Sequence, residues 1–273
     1  IAWYENNGAE SFTARTITTA ANGANSVYAV DVDGDGDMDV LSASKVDDKI
    51  AWYENNGAES FTARTITTDA DGAVSVYAVD VDGDGDMDVL SASSNDDKIA
   101  WYENDGSETF TARTITTSAD KARSVYAADV DGDGDMDVLS ASSNDDKIAW
   151  YENDGSETFT DRTITTSADG ARSVYAVDVD GDGDMDVLSA SYDDDTIAWY
   201  ENDGEDDPSF TARTITTSAD KAISVFAADV DGDGDMDVIS ASYEDDKIAW
   251  YKNDGTWSAT YVCTSPTTWT PIA

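Results

Sequence analysis

Five aspartates at alternate positions, Asp31, Asp33, Asp35, Asp37 and Asp39, are packed into the nonapeptide DVDGDGDMD. The same nonapeptide returns with Asp80, Asp82, Asp84, Asp86 and Asp88, and again with Asp129, Asp131, Asp133, Asp135 and Asp137. It occurs twice more, with Asp178, Asp180, Asp182, Asp184 and Asp186, and with Asp229, Asp231, Asp233, Asp235 and Asp237. Carboxylates crowded this closely repel one another in water. A hard divalent cation would neutralise them, because such ions take oxygen ligands and Ca2+ accepts about six to eight. The reading is about five Ca2+, one per loop, with all of these aspartates as candidate ligands.

The offsets favour a metal loop over a merely polar turn. Aspartates at the first, third and fifth places can face inward from a tight turn. Gly36, at the sixth, allows a positive φ that a side chain would oppose. The seventh place can then offer its backbone carbonyl, and Asp39 at the ninth can close the shell. An EF-hand would put a bidentate Glu at the twelfth place and helices on both sides. Here that place is Ser42 and both flanks read as strands. Asp and Gly also make ordinary turns, but a turn does not require carboxylates at fixed offsets.

The elements that must hold these loops are repeats. The loops begin at 31, 80, 129, 178 and 229, the last interval being lengthened by an insertion near Glu205-Asp206-Asp207-Pro208. The first complete repeat has four strand-like runs, Ser26–Val32, Met38–Ser44, Ile50–Asn55 and Phe61–Thr67, divided by links rich in Asp, Asn, Gly or Ser. No segment has a helical apolar period. Val27-Tyr28-Ala29-Val30 and Ile50-Ala51-Trp52-Tyr53 are apolar on both faces, as in a sheet packed on both sides. The fold class expected is all-β: a β-propeller of four-stranded blades, with five full loop-bearing repeats plus a half repeat. Six blades are favoured over five, and a linear β-solenoid is the rival. One domain, 1–273, is expected, with repeats at 1–19 (partial), 26–67, 75–116, 124–165, 173–216 and 224–263 and a divergent tail at 264–273. The tail is expected to complete a sixth blade with Ile1–Thr19, in preference to pairing between chains.

Composition narrows the partners. The net charge is −44, from 59 acidic against 15 basic residues. Nucleic acid is excluded, since both surfaces would be anionic. No apolar run of about 18 residues exists, so no membrane insertion is expected. A lone cysteine, Cys263, cannot form a disulfide within the chain, and histidine is absent. The chain starts at Ile1 without a signal-like segment and reads as a processed piece of a longer product.

DVDGDGDMDVLSAS followed by KIAWYEN resembles the FG-GAP/VCBS repeat family, the calcium-loop blades also found in integrin α-subunit propellers. The pattern D-x-D-x-D-G-x-x-D matches in all five copies, and the resemblance runs to about Asn253. It implies that each loop joins the two innermost strands of a blade and binds Ca2+ at one rim. It also implies kinship with secreted adhesive and structural proteins.

Two further repeated features are Trp-Tyr pairs and arginines. Trp3-Tyr4, Trp52-Tyr53, Trp101-Tyr102, Trp150-Tyr151, Trp199-Tyr200 and Trp250-Tyr251 could be sugar platforms, but their apolar strand context favours packing between blades. Arg15, Arg64, Arg113, Arg162 and Arg213 are expected to pair with acids such as Glu54. The links at Lys45-Val46, Ser94-Asn95, Ser143-Asn144, Tyr192-Asp193 and Tyr243-Glu244 vary, as specificity loops or as drift. No catalytic constellation is present: no His, no G-x-S-x-G and no phosphate-cradling loop. The function expected is a non-enzymatic, extracellular or cell-surface calcium-binding module, structural or adhesive. Its partners would be other extracellular proteins, copies of itself, or glycans. The alternatives are a lectin-like propeller and an accessory propeller of a larger enzyme.

Overall fold

Runs of β-branched and aromatic residues broken by Asp-Gly and Asn-Gly turns leave this chain little choice but strands. The computed structural model describes residues 1–9, 11–254, 259–265 and 268–271, and every regular element among them is a strand. The chain divides into two compact units, Ile1–Asp80 with Asp84–Ser118, and Val81–Gly83 with Ala119–Ala273.

The first unit begins with a hairpin, β1 (Ala2–Asn6) and β2 (Phe12–Thr16). Two sheets follow: β3 (Ala24–Val30), β4 (Asp39–Ser44), β5 (Lys49–Asn55) and β6 (Phe61–Thr67), then β7 (Ala73–Val79), β8 (Asp88–Ser93), β9 (Lys98–Asn104) and β10 (Phe110–Thr116). The second unit holds three more. They are β11 (Ala122–Ala128) to β14 (Phe159–Thr165) through β12 (Asp137–Ser142) and β13 (Lys147–Asn153), and β15 (Ala171–Val177) to β18 (Phe210–Thr216) through β16 (Asp186–Ser191) and β17 (Thr196–Asn202). The last contains β19 (Ala222–Ala228), β20 (Asp237–Ser242), β21 (Lys247–Lys252), β22 (Ala259–Ser265) and β23 (Thr268–Pro271). Each sheet is antiparallel with its strands in sequence order, which is the blade of a β-propeller.

The expected strands are present with ends shifted by a residue or two, and Phe61–Thr67 is matched at both ends. Of the last expected repeat, 224–263, and of the divergent tail, residues 255–258, 266, 267, 272 and 273 lie outside the described residues. The described parts, β22 and β23, pair with each other and extend the last sheet.

Burial explains the weak in-out alternation. Every residue of β16 is buried, whereas β18 is mostly exposed. One face of the β15–β18 sheet packs on the preceding sheet through Leu139, Ile148, Trp150, Val174 and Tyr200. The other packs on the following sheet through Leu188, Ile197, Trp199, Val225 and Tyr251. Both faces of its central strands therefore need apolar side chains. The aromatic pairs divide the work: Trp52 meets Phe110 of the next sheet edge-on, with ring centroids 6.3 Å apart. Tyr102 is also buried and brings its hydroxyl within 3.2 Å of Ser91 Oγ. Indoles this deep cannot serve as open sugar platforms.

The β4–β5 turns tie neighbouring sheets together at the end opposite the aspartate loops. Asp48 Oδ1 accepts from Gly72 N at 2.8 Å, and Asp146 Oδ1 accepts from Gly170 N at 2.9 Å.

Candidate metal centre

Each aspartate loop joins the first and second strands of its sheet, so two ladder-bonded strands fix its ends. Within the first loop the carboxylates act first as acceptors for the loop's own backbone. Asp31 takes Gly34 N and Gly36 N, each at 2.9 Å, on its two oxygens. Asp33 Oδ1 accepts from Asp35 N at 3.2 Å, and Asp35 Oδ1 accepts from Asp37 N at 2.8 Å. Gly36 has φ 94°, a conformation that disfavours side chains. Asp39 is fully buried; its carboxylate takes Val32 N at 3.1 Å and Asn55 N at 2.7 Å, closing the loop onto β5.

Asp31, Asp33 and Asp39 each bring one oxygen into a common group, all within 4.8 Å of one another. Asp129, Asp131 and Asp137 do the same. The first, third and ninth places therefore converge, while the fifth and seventh do not join the group. Asp37 is turned instead against the β5–β6 hairpin, where a Cβ on Gly57 would meet its Oδ2 at 2.4 Å. Asp86, Asp135 and Asp184 stand in the same relation to Gly106, Gly155 and Gly204. Asp84 and Asp133 follow Asp35, each accepting the next amide but one at 2.9 Å.

The remaining loops repeat the frame. Asp80 accepts from Gly85 N at 3.0 Å and Asp88 from Asn104 N at 2.7 Å; Asp82 lies on Val81–Gly83, grouped with the second unit. In the fourth loop Asp178 accepts from Gly181 and Gly183, Asp180 and Asp182 from the amides two residues on, and Asp186 from Val179 and Asn202. In the fifth Asp229 accepts from Gly232 and Gly234, and Asp237 from Val230 and Asn253, while Asp235 N is held by Asp233.

Burial raises the pKa of the ninth-place carboxylates Asp39, Asp137 and Asp186. Desolvation pushes Asp137 up to about 7 and Asp186 up to about 6, against the backbone hydrogen bonds that lower them. Desolvation also raises Asp33, Asp39, Asp131 and Asp180. A charged oxygen set held out of water is poised to exchange its proton for a cation. The donor set is all oxygen and acidic, the chemistry a hard divalent ion requires.

Two groups escaped the sequence reading. Asn104 donates its amide to Val32 O at 3.3 Å in the preceding sheet's loop and to Met87 O at 3.2 Å in its own. Asn153, Asn202 and Asn253 bridge in the same way to Val81, Val130 and Val179. The signal was the Asn that ends each WYEN run, but its partner lies 72 residues away. The second is Lys252, which stands where the earlier repeats have Glu and holds Asp231 and Asp233. The arginines pair as expected: Arg64 with Glu54 at 2.6 Å and with Glu108 at 2.7 Å, stacked over Trp52.

A family model of the FG-GAP-like repeat matches residues 1–42, 31–91, 80–140, 129–189, 178–240 and 229–273. The chain belongs to this family. No curated protein matches it in sequence. Among solved structures, these repeats superpose on an Agrocybe aegerita lectin described for specific recognition of non-reducing terminal N-acetylglucosamine. The TM-score is 0.64 at 19% identity, over 96% of this chain and 73% of the lectin. A virginiamycin B lyase from Staphylococcus aureus gives a TM-score of 0.63 at 12% identity, over 96% of this chain and 84% of the lyase. The V. cholerae biofilm matrix protein Bap1 gives 0.54 at 18% identity, over 85% of this chain and 38% of that protein. At these identities the likeness is one of fold. The FG-GAP-like repeats and the superpositions agree on blades, and the clustered acids of the repeat loops could hold a metal ion.

Proposed function

We propose that the chain is a non-enzymatic, calcium-stabilised FG-GAP-like propeller module that works outside the cell, in a structural or adhesive role within a larger assembly. The observation that carries this reading is the convergence of Asp31, Asp33 and Asp39, repeated at Asp129, Asp131 and Asp137. The ninth-place carboxylate supplies a buried oxygen, and the first and third places supply the partly exposed ones. One bound Ca2+ would offset two of the five negative charges of its loop and fasten the first two strands of each blade. Extracellular modules of this kind bind at about 10⁻⁴–10⁻³ M, which matches a calcium-rich exterior. The biofilm matrix neighbour supports an extracellular setting. Non-enzymatic action is supported by the lack of histidine and by the engagement of the clustered carboxylates in their own loops.

Calcium titration by calorimetry after EGTA treatment tests the reading, together with thermal melting in Ca2+ and in EGTA. Binding of several equivalents and a lower melting temperature in EGTA are expected. Superimposable melts in the two buffers would sink it.

A glycan-binding role is the second reading. It is supported by the lectin neighbour and by a cleft of about 130 Å³ between successive sheets, bounded by Asp33, Asp86, Asn104 and Ser107. A glycan array in Ca2+ separates the two.

A further inference from the structure

Two arginines of the second compact unit lack what every other arginine has. Arg15, Arg64, Arg113, Arg162 and Arg213 each pair with a glutamate. Arg123 and Arg172 pair with no carboxylate among the described residues. The chain holds 59 acidic residues, and Glu10 is the one acid outside the described part.

Both arginines occupy the same place in the repeat, near the start of a sheet's first strand and away from its aspartate loop. Ala122 faces Ser142 and Ser124 faces Ala141, so Arg123 is the extra residue of a β-bulge. Arg172 is the extra residue between Ala171 and Ser173. A bulge re-aims its side chain out of the regular pleat. β11 and β15 lie side by side, with Ser124 Oγ accepting from Val174 N at 3.4 Å, which brings the two guanidiniums into one neighbourhood. Burial, and after it the Arg172 charge, push the pKa of Arg123 down from its ordinary value.

The surroundings add positive charge and few acceptors. Arg123 Nε donates to Ser143 Oγ at 3.1 Å. Arg172 Cζ lies 4.4 Å from the ring centroid of Tyr192, and Lys221 Nζ lies 4.7 Å from the same centroid. Asp193, next to Tyr192, is taken by Lys221 at 3.3 Å. Arg172 Nε is closed off from solvent and meets no acceptor among the described residues. A guanidinium cannot shed its proton to relieve this. Neighbouring like charges and a buried donor without an acceptor both cost free energy, and an anion removes both costs.

We propose that Arg123 and Arg172 form a site for a tetrahedral oxyanion, sulfate or phosphate, free or as the ester of a sugar. Each guanidinium fork matches two oxygens of such a group, and two forks match its two charges. Tyr192 backs the Arg172 plane, and Ser143 holds Arg123. Asn25, Val74 and Ile223 fill the bulge place in the other sheets, so the bulge itself does not need the charge. The site lies outside the aspartate loops and does not rest on the calcium reading.

The test titrates sodium sulfate into the full chain in Ca2+ at constant ionic strength, followed by calorimetry and by the arginine Nε–H signals in NMR. Saturable one-to-one binding is expected, with two arginine signals shifting. Arg172→Ile, which copies the residue of the last sheet, should keep the fold and the calcium stoichiometry while binding sulfate about tenfold or more weakly. Arg123→Lys keeps the charge but loses the fork, and its affinity should fall between the two. A sulfated disaccharide and its desulfated counterpart identify the source. Equal binding of the free ion and the sulfated sugar supports a free anion; tighter binding of the sulfated sugar supports an ester. No saturation up to about 10 mM of either probe, or binding that Arg172→Ile leaves unchanged, would overturn the proposal. So would a desulfated sugar that binds as well as the sulfated one.

Discussion

Lys252 Nζ lies 2.9 Å from Asp233 Oδ2 and also holds the Asp231 carboxylate, so the fifth aspartate loop carries a cation of its own. The four earlier loops have Glu54, Glu103, Glu152 and Glu201 at this place, each taken by an arginine. The ammonium holds Asp233 below its usual pKa. Calcium must displace or approach that ammonium, which weakens its binding. Calorimetry should therefore resolve the fifth loop as the weakest site. Lys252→Glu should raise its affinity by about an order of magnitude. Five indistinguishable sites in the unmodified chain would show that Lys252 does not compete.

Calcium ligation should also separate two nearby aspartates. Asp33 belongs to the converging group, while Asp47 sits in the β4–β5 turn beside Lys49, 3.5 Å away. Asp33→Ala should remove one calcium equivalent and lower the melting temperature in Ca2+. Asp47→Ala should keep the stoichiometry, because the half-buried Asp47 is occupied by Lys49 and by the Asn22 amide, away from the converging oxygens of Asp31, Asp33 and Asp39. Loss of one equivalent in both variants would contradict the assignment.

The pH dependence without calcium should run opposite to that of a salt-bridged carboxylate. Desolvation raises Asp137 to about 7 and Asp186 to about 6 from 3.8. Between these values the folded chain keeps protons that the unfolded chain releases, so stability falls as pH rises from about 4 to about 7. In saturating Ca2+ the ion competes with those protons, so calcium affinity should rise over the same window. Melting in EGTA and in Ca2+ at several pH values measures both slopes. An EGTA melting temperature that climbs with pH across that window would refute the raised pKa values.

How much of this was legible is decided by sequence distance. The blades were readable because each repeat carries its strands and turns within about fifty residues, and Phe61–Thr67 needed no context at all. The carboxylate cluster was readable as a loop, but not which members meet. Asp37 leaves the group because the β5–β6 turn offers it room beside Gly57, and that turn is twenty residues away. Lys252 was visible as WYKN among WYEN copies, yet its reach back to Asp231 and Asp233 depends on how β20 and β21 pair.

Asn104 offers the sharpest test of how successive blades are coupled. Its amide reaches Val32 O in the preceding loop and Met87 O in its own, and it is 3% exposed. Asn55, at the same place one repeat earlier, gives its amide to Met38 O alone and is partly exposed. Asn104→Ala removes the amide from two carbonyls at a site with little water, and each such loss costs about 1–3 kcal/mol. Asn55→Ala strips one carbonyl that water can reach. Denaturant unfolding in Ca2+ should therefore show a loss of about 2–4 kcal/mol for Asn104→Ala and at most about half that for Asn55→Ala. Val32 lies between Asp31 and Asp33, so the same amide links the first aspartate loop to the second sheet. Asn104→Ala should accordingly weaken calcium at the first loop while leaving every carboxylate in place. Equal losses for the two asparagines, with calcium affinity unchanged, would show that the blades are joined by apolar packing alone.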